Sequence, residues 1–198
     1  MQDIQAYFSR LFPQVKPALL APMLVNAEPR HFAKKELFCA QGETPEVILF
    51  IQHGIFRGYF CNQKGDEMTD CFCYRSGEMP VPSLPLNAPA NINMEALSES
   101  DTIALPVEDV MRFLEGNDFA LRIYNSLLLD SLRRHIEVKK MLYQVEAAKR
   151  YAWFLEHYPD LDPLVNDKYI ASFLGVTPVT LSRARSALGR KKRSGTKP

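Results

Sequence analysis

The segment NDKYIASFLGVTPVTLSRARSAL, residues 166–188, decides how the rest of the chain is interpreted. It predicts two short helices joined by a tight turn. Asn166 or Asp167 can cap the first helix, because a short side-chain oxygen accepts a free backbone N–H. Gly175 suits the left-handed position that often follows a helix, since it has no Cβ. The first helix is predicted to bury a face with helical spacing, formed by Tyr169, Ile170, Phe173 and Leu174.

The second helix of this pair is predicted to begin at Thr177 and Pro178. Threonine is a good N-cap, and proline suits the first helical position because the N–H that it lacks would have been unpaired there. The inner stripe is Leu181, Ala184 and Leu188. The outer positions are Val179, Thr180, Ser182, Arg183 and Ser186. A short, polar, arginine-bearing face is what a helix needs to enter a DNA major groove, so the sequence predicts a helix-turn-helix. The alternative is an ordinary helical hairpin packed on a core.

Charge is unevenly distributed along the chain and supports a polyanion partner at the C-terminal end. From Asn166 onward eight basic residues accompany one acid, Asp167, which gives this segment +7, while the whole chain carries +1 and the remainder therefore −6. We expect double-stranded DNA as the partner of the basic end. The residues predicted to contact DNA are Thr177, Pro178, Val179, Thr180, Ser182, Arg183, Arg185, Arg190 and Lys191.

Composition excludes several other classes of protein. The chain has 198 residues, of which 46% are hydrophobic and 24% charged, as expected for a globular protein of one or two domains. No apolar run approaches the ~18 residues of a membrane span, so we expect no membrane partner. The N-terminal sequence MQDIQAYFSRLFPQ lacks the pattern of a signal peptide, and a cytoplasmic location is expected.

The periodicity changes along the chain and predicts an α+β fold. Residues 1–27 hold two short helical patterns. Residues 30–105 alternate as short strands between glycine- or proline-bearing turns, which is typical of a small antiparallel barrel or jelly roll. Helical patterns follow over 107–116, 118–142 and 144–158, and the basic tail RKKRSGTKP is expected to lack fixed structure. The predicted domains are a β-roll sensor with N-terminal helices at 1–116, a long helix at 117–142 and a DNA-binding domain at 143–198.

The long helix at 118–142 indicates self-association. A helix of ~25 residues is about 37 Å long, which exceeds what a small barrel can cover. Part of its apolar stripe is therefore predicted to contact a second copy of the chain, which would match two half-sites on DNA. The alternative is a helix fully buried within one chain. The stripe consists of Leu121, Tyr124, Leu128, Leu132, His135 and Leu142.

This order of elements resembles the Crp/Fnr family of bacterial transcription regulators over essentially the whole chain. The segments that carry the resemblance are GIFRGYF (54–60), GDEMT (65–69), EALSESDTIALP (95–106), RYAWFLEHYP (150–159) and IASFLGVTPVTLSR (170–183), together with Gly77 and Glu78. The resemblance implies a cyclic-nucleotide-binding-like β-roll that senses an effector, a dimerisation helix and a C-terminal helix-turn-helix. It implies a homodimer that binds DNA, with a small-molecule effector and RNA polymerase as further partners.

The same resemblance assigns roles to residues of the second helix and also reveals departures from the family. Arg183 matches the base-contacting arginine, and Thr180 matches a phosphate-contacting position. Val179 stands where many members have a glutamate, so the operator sequence cannot be carried over. Only ten residues follow Leu188, and the β-wing that usually comes next is therefore expected to be absent.

The β-roll also lacks part of the cyclic-nucleotide signature. The Gly-Glu pair is present, but no arginine or lysine lies between Arg75 and Arg112 to pair with a cyclic phosphate. Burying an unneutralised phosphate costs several kcal/mol, which disfavours a cyclic nucleotide. No motif in the chain identifies the effector or a cofactor. The predicted effector pocket consists of Arg57, Gly77, Glu78, Asn91 and Asn93.

Catalytic and metal chemistry have no support in the sequence. The four histidines are scattered, no cysteine precedes Cys39, and neither a phosphate loop nor a GxSxG motif occurs. Cys61, Cys71 and Cys73 are interpreted as core or half-buried thiols, with a redox pair between strands as the alternative. Two functions remain: a dimeric, effector-controlled DNA-binding regulator, or a ligand-binding or interaction module that binds DNA only weakly and without specificity.

Overall fold

The computed structural model describes the backbone of residues 2–194 and the side chains of residues 4–188. The helices are α1 (Gln2–Leu11), α2 (Pro17–Leu20), α3 (Val107–Glu115), α4 (Asp118–Gln144), α5 (Ala147–His157), α6 (Asp167–Phe173) and α7 (Pro178–Ser194), with a 3-10 turn at Ala21–Leu24. The strands are β1 (Glu28–Phe32), β2 (Leu37–Cys39), β3 (Val47–His53), β4 (Phe56–Cys61), β5 (Glu67–Cys73), β6 (Asn93–Ala96) and β7 (Ser100–Pro106).

The strands form two sheets that make up the expected β-roll. One has the order β1-β7-β3 and the other the order β2-β6-β4-β5. The registers are antiparallel, as in the pairing of Phe56 with Ala96 and of Gly58 with Met94 between β4 and β6. The expected α+β fold, with an antiparallel roll followed by helices, is confirmed.

Alternation along the strands separates two hydrophobic clusters. One cluster draws on both sheets and therefore fills the interior of the roll; its members are Phe32, Leu49, Ile51, Phe56, Met94, Ala96 and Ala104. Neighbouring strand residues face opposite ways. Accordingly Phe50, Ile103 and Leu105 lie on the outer face of the first sheet, in a cluster that also contains Tyr7, Phe8 and Val110 from the helices. The N-terminal helices thus cover one face of the roll, as their apolar patterns predicted.

Contacts divide the chain into two compact units. The first comprises residues 1–60 and 70–125, and the second comprises residues 61–69 and 126–198. The predicted domain limits at 116 and 142 stay predictions. Within the described residues, no helix is both long enough and apolar enough to cross a membrane.

The second unit has its own aromatic core. Phe154 of α5 stacks on Tyr158 with ring centroids 5.3 Å apart, and both rings contact Phe173 of α6. Leu161, Ile170, Leu174 and Leu181 are fully buried beside them. Ser172 of α6 contacts the segment 61–69 of the same unit: its hydroxyl donates a hydrogen bond to the Glu67 carbonyl and accepts one from the Thr69 amide. Helices α6 and α7 of the helix-turn-helix therefore pack on a hydrophobic core within the second unit.

Helix α7 is longer than its sequence predicted. The apolar pattern ends at Leu188 and the following residues were expected to lack fixed structure, but the helix continues to Ser194. Arginine and lysine have high helix propensity, which outweighs the missing apolar stripe. Residues 195–198 of the predicted tail lie outside the described residues.

Candidate nucleic-acid interface

Helix α6 is delimited by the capping groups that the sequence predicted. The Asn166 side chain accepts a hydrogen bond of 3.0 Å from the Lys168 amide, so Asn166 and not Asp167 is the N-cap. At the other end, the Gly175 amide donates to the Ser172 carbonyl and the Val176 amide donates to the Ala171 carbonyl. These two bonds, with Gly175 at φ +59°, make a Schellman motif. The sharp turn of the helix-turn-helix follows from this glycine.

The next residues begin α7 as predicted. The Thr177 hydroxyl accepts a hydrogen bond of 3.2 Å from the Thr180 amide, and the two threonine hydroxyls lie 3.0 Å apart. Pro178 occupies the first helical position. The helix therefore presents a capped N-terminus, where the partial positive charge of its dipole favours an anion such as a phosphate.

Burial divides α7 into an inner and an outer face. Leu181 is 0% exposed and Ala184 is 6% exposed, as expected for the inner stripe. On the other side Val179 is 60% exposed. The exposed side chains recur at spacing i, i+3, i+4 and i+7, at Val179, Ser182, Arg183 and Ser186. Such residues share one face of a helix, so an uninterrupted outer surface with one apolar and three polar side chains is available.

Arg185 is the exception among the predicted DNA-binding residues. Its guanidinium donates to the carboxylates of Asp162 and Asp167 at 2.7–3.0 Å and to the Tyr151 hydroxyl at 3.0 Å. The hydrogen bonds that Arg185 donates to Asp167 raise the pKa of Arg185 above its ordinary value. The side chain therefore links α7 to α5, α6 and the loop before α6, and its predicted DNA contact stays a prediction.

The remaining predicted residues of this surface divide into two groups. Thr177, Pro178 and Thr180 form the N-terminal turn of α7, where the sequence placed them. The side chains of Arg190 and Lys191 lie outside the described residues, although the helix backbone runs through them. Sequence reasoning missed Asp162 as an arginine partner. The sequence signal that could have indicated an acidic partner for Arg185 was Asp167, the one acid in an otherwise basic segment.

The residues predicted to form an effector pocket have local structural contacts. Glu78 accepts hydrogen bonds from the Tyr74 and Arg75 amides at 2.8 and 3.1 Å. The Gly77 amide donates to the Ile51 carbonyl at 2.8 Å.

The two asparagines of that predicted pocket are similarly engaged. Asn93 accepts from the Gln41 amide at 2.9 Å, and the amide of the exposed Asn91 donates to the Pro82 carbonyl, also at 2.9 Å. Their shared pocket stays a prediction.

Arg57, the last of the residues predicted to form an effector pocket, is buried on β4. Phe56, its neighbour on β4, faces the roll interior, so Arg57 faces the opposite side of the sheet. There it is 1% exposed, with its Nη2 2.7 Å from Glu95 and its guanidinium 4.1 Å from the Tyr59 ring centroid. There the arginine joins β4 to β6, on the sheet face that Asn93 shares, and its part in an effector pocket stays a prediction.

The cysteines are all free thiols. Cys71 and Cys73 are half-buried and pack against the interior cluster of the roll, as expected, whereas Cys61 is exposed. Among the described residues, no group of three or more His, Cys, Asp or Glu side chains is arranged to hold a metal ion.

Comparisons with known proteins bear on the fold. No protein-family model matches the sequence, and no curated protein matches it. Among solved structures, FixK2 from Bradyrhizobium japonicum matches with a TM-score of 0.75 and 19% identity, over 84% of this chain and 86% of that one. A protein from Eubacterium rectale assigned to the Crp/Fnr family of transcriptional regulators matches with a TM-score of 0.71 and 16% identity, over 91% and 87%.

A third solved structure extends the same result. The regulator CLP from Xanthomonas campestris, described as responsive to c-di-GMP, matches with a TM-score of 0.69 and 11% identity, over 89% of this chain and 93% of that one. The fold implied by the resemblance to Crp/Fnr regulators is therefore confirmed over nearly the whole chain. A fold alone does not fix a function, which has to be argued from the site.

Proposed function

We propose that this protein is a homodimeric transcription regulator of the Crp/Fnr type, which binds DNA sequence-specifically through α7 and acts in the cytoplasm. The observation that carries the proposal is the outer face of α7. It is exposed, follows a capped N-terminus and lies opposite the buried Leu181 and Ala184. A helix with these properties fits the major groove, with its N-terminal residues nearest the bases.

The outer face suggests which bases are read. Arg183 is exposed, and its planar guanidinium can donate to O6 and N7 of a guanine. Val179 lies one turn earlier on the same face and has no polar group, so its base partner is the methyl group of a thymine. Four residues of helix rise about 6 Å, which places these two bases one to two base pairs apart, since base pairs are spaced ~3.4 Å apart.

Phosphate contacts are proposed for the N-terminal turn of α7 and for its C-terminal end. The Val179 amide and the hydroxyls of Thr177 and Thr180 can donate to phosphate oxygens, as groups at helix N-termini commonly do. Arg190 and Lys191 are proposed to add charge at the other end. These contacts fix the orientation of the helix without reading sequence.

Dimerisation is proposed to use α4. Leu129, Leu132, Ile136 and Tyr143 are 54%, 56%, 43% and 81% exposed in the single chain. Their spacing of three, four and seven residues is the heptad pattern of a coiled coil, which a second copy of the same helix covers. This exposed stripe shares Leu132 with the predicted one, whose Leu121 is also 43% exposed, whereas Tyr124 of the predicted stripe packs with the N-terminal helices in the outer cluster.

An effector acting on the β-roll is also proposed, and its chemistry is constrained. No arginine or lysine lies between Arg75 and Arg112, and Arg57 is already paired with Glu95 on the other face of the sheet. We therefore propose an effector without a phosphate. Mass spectrometry and an absorbance scan of natively purified protein test this, and a bound cyclic nucleotide would contradict it.

The DNA-binding proposal is tested by selection from random-sequence duplexes followed by affinity measurements at several salt concentrations. We expect a two-fold-related consensus site that binds at least ~10³ times more tightly than random DNA. The logarithm of the affinity should fall linearly with the logarithm of salt concentration, with a slope near −0.9 per phosphate contacted. Weak binding without sequence preference at every salt concentration would instead support a ligand-binding or interaction module.

A further inference from the structure

Arg150, near the start of α5, joins the ends of two other helices. Its Nε donates to the Val145 carbonyl at 3.0 Å and its Nη2 to the Leu142 carbonyl at 2.8 Å. Its Nη1 donates to the carbonyls of Leu174 and Gly175 at 2.8 and 3.2 Å. One guanidinium thus contacts the last turn of α4 and the turn of the helix-turn-helix, and all these residues belong to the second unit.

The electrostatics of these two helix ends favour a cation between them. Neither α4 nor α6 has a basic residue in its own last turn. The C-terminus of a helix carries a partial negative charge and carbonyls without helical partners. Arg150 supplies the positive charge and the donors to both ends at once. A lysine at this position could not do the same, because a single ammonium lacks the planar fork of donors.

The turn of the helix-turn-helix is shaped to admit this side chain. A Cβ on Gly175 would lie 3.1 Å from the Arg150 Nη1 and 3.3 Å from the Leu142 Cδ2. Gly175 therefore serves two purposes: it adopts φ +59°, and it lets the guanidinium and the end of α4 approach the turn.

The backbone hydrogen bonds at the junction of α4 and α5 stay on their own sides: the Val145 amide donates to the Met141 carbonyl, and the Lys149 and Arg150 amides donate to the Glu146 carbonyl. Only Val145 and Glu146 lie between the two helices. Glu146 has an extended conformation, with φ −57° and ψ 140°, which interrupts the helix. The direction of α5 relative to α4 therefore depends on side chains, and Arg150 contacts both sides of this junction.

We propose that Arg150 is a positioning residue that fixes the orientation of the helix-turn-helix relative to the end of α4. This inference rests on the proposed function, in which two copies bind two half-sites. Helix α5 has 11 residues and is about 16 Å long. A rotation of about 12° at its start would displace its far end by about 3.4 Å, one base-pair step. Without Arg150, the two recognition helices lose their fixed separation, while each still reads its own half-site.

The experiment compares wild type, Arg150→Met and Lys149→Met on defined duplexes. Lys149 is the matched control, since it is the neighbouring cation on α5 and its only described ion pair is an exposed one with Glu146. One duplex carries a single half-site selected by wild type from random DNA. The others carry two half-sites, with their separation changed in steps of one base pair. Circular dichroism confirms that each variant is folded.

Wild type and Lys149→Met should bind the optimal pair of half-sites about a hundredfold more tightly than a single half-site, and should lose this gain when one base pair is inserted. Arg150→Met should show less than about a tenfold gain at any separation, with single half-site affinity within about threefold of wild type. Arg150→Lys should behave like Arg150→Met, and it provides the same readout if the methionine variant does not fold.

Any of three results with the Arg150 variants would overturn the inference. The first is that Arg150→Met retains the sharp dependence of its affinity on half-site separation. The second is that its affinity for a single half-site falls as much as its affinity for two, which would mean that Arg150 only stabilises the helix-turn-helix. Full recovery in Arg150→Lys would show that charge alone suffices. If wild type selects no half-site, the proposed function fails and this inference fails with it, whereas a failure confined to the Arg150 variants removes this inference alone.

Discussion

Replacing Arg185 by methionine separates its structural role from DNA reading. In the structure the guanidinium makes hydrogen bonds with Asp162, Asp167 and the Tyr151 hydroxyl. Methionine keeps most of the apolar stem and its packing, but provides no donor. The carboxylates of Asp162 and Asp167 would then repel each other, because the guanidinium that neutralises both would be missing. We expect Arg185→Met to destabilise the second unit and to leave its base preference unchanged.

The magnitude follows from exposure and geometry. A hydrogen bond involving a charged group contributes about 1.5–3 kcal/mol when buried, whereas an exposed ion pair contributes at most about 1 kcal/mol. The Arg185 side chain is 36% exposed, so its two ion pairs lie between these limits. We estimate a total loss of about 2 kcal/mol, which lowers Tm by roughly 4–8 °C for a protein of this size.

The assay uses the single tryptophan of the chain. Trp153 lies on α5 in the second unit, so its fluorescence on heating reports the unfolding of that unit. Arg183→Met is the matched control, because it removes an exposed arginine from the same helix. The control should melt like wild type yet lose base preference. An unchanged melting curve for Arg185→Met would refute the structural role, as would a changed base preference at temperatures where it is folded.

Three further predictions concern base reading, pH and packing. Val179→Ala should bind DNA less tightly, and replacing the contacted thymine by uracil should weaken wild type by about tenfold but Val179→Ala hardly at all, measured by fluorescence anisotropy. Hydrogen bonds with Asp101 and then Glu99 raise the pKa of His31 above its ordinary 6.5, so its contribution to stability is full below that pH and is lost as pH rises through the folded-state pKa. Urea titrations should show the difference between wild type and His31→Gln shrinking from pH 6 to pH 8, and a difference that grows would contradict this. Gly58→Ala should lose about 1–3 kcal/mol, because the new Cβ would lie 2.6 Å from a cysteine sulfur inside the roll, and a thermal melt like that of wild type would refute the close packing.

Local signals in the sequence predicted the helix-turn-helix well. Asn166, Gly175, Thr177 and Pro178 each have a preference set by the backbone at their own position, so capping and turn geometry could be assigned without knowing the rest of the structure. The long helix was predicted for the same reason, since its periodicity is visible within its own residues.

Pairings between distant residues could not be predicted. Arg185 was assigned to DNA because the sequence around it does not distinguish it from the other basic residues of α7. Only the folded chain brings Asp162 beside it. The ion pair of Arg57 was not predicted because it depends on the register of β4 and β6. That register places Glu95 directly opposite Arg57. Arg150 begins the segment RYAWFLEHYP, which carries part of the family resemblance, but its contacts could not be predicted because its partners are backbone carbonyls, which carry no sequence identity.

The most direct test of sequence-specific reading by α7 is a cycle that alters both the protein and the base. The affinities of wild type and Arg183→Ala are measured for the selected site and for the same site with 7-deazaguanine at the contacted guanine, which lacks the N7 acceptor. We expect each single change to weaken binding by about 1–3 kcal/mol and the second change to add little once the first is made. Losses that add independently, or an Arg183→Ala variant with wild-type affinity and base preference, would contradict the proposed reading of DNA by this helix.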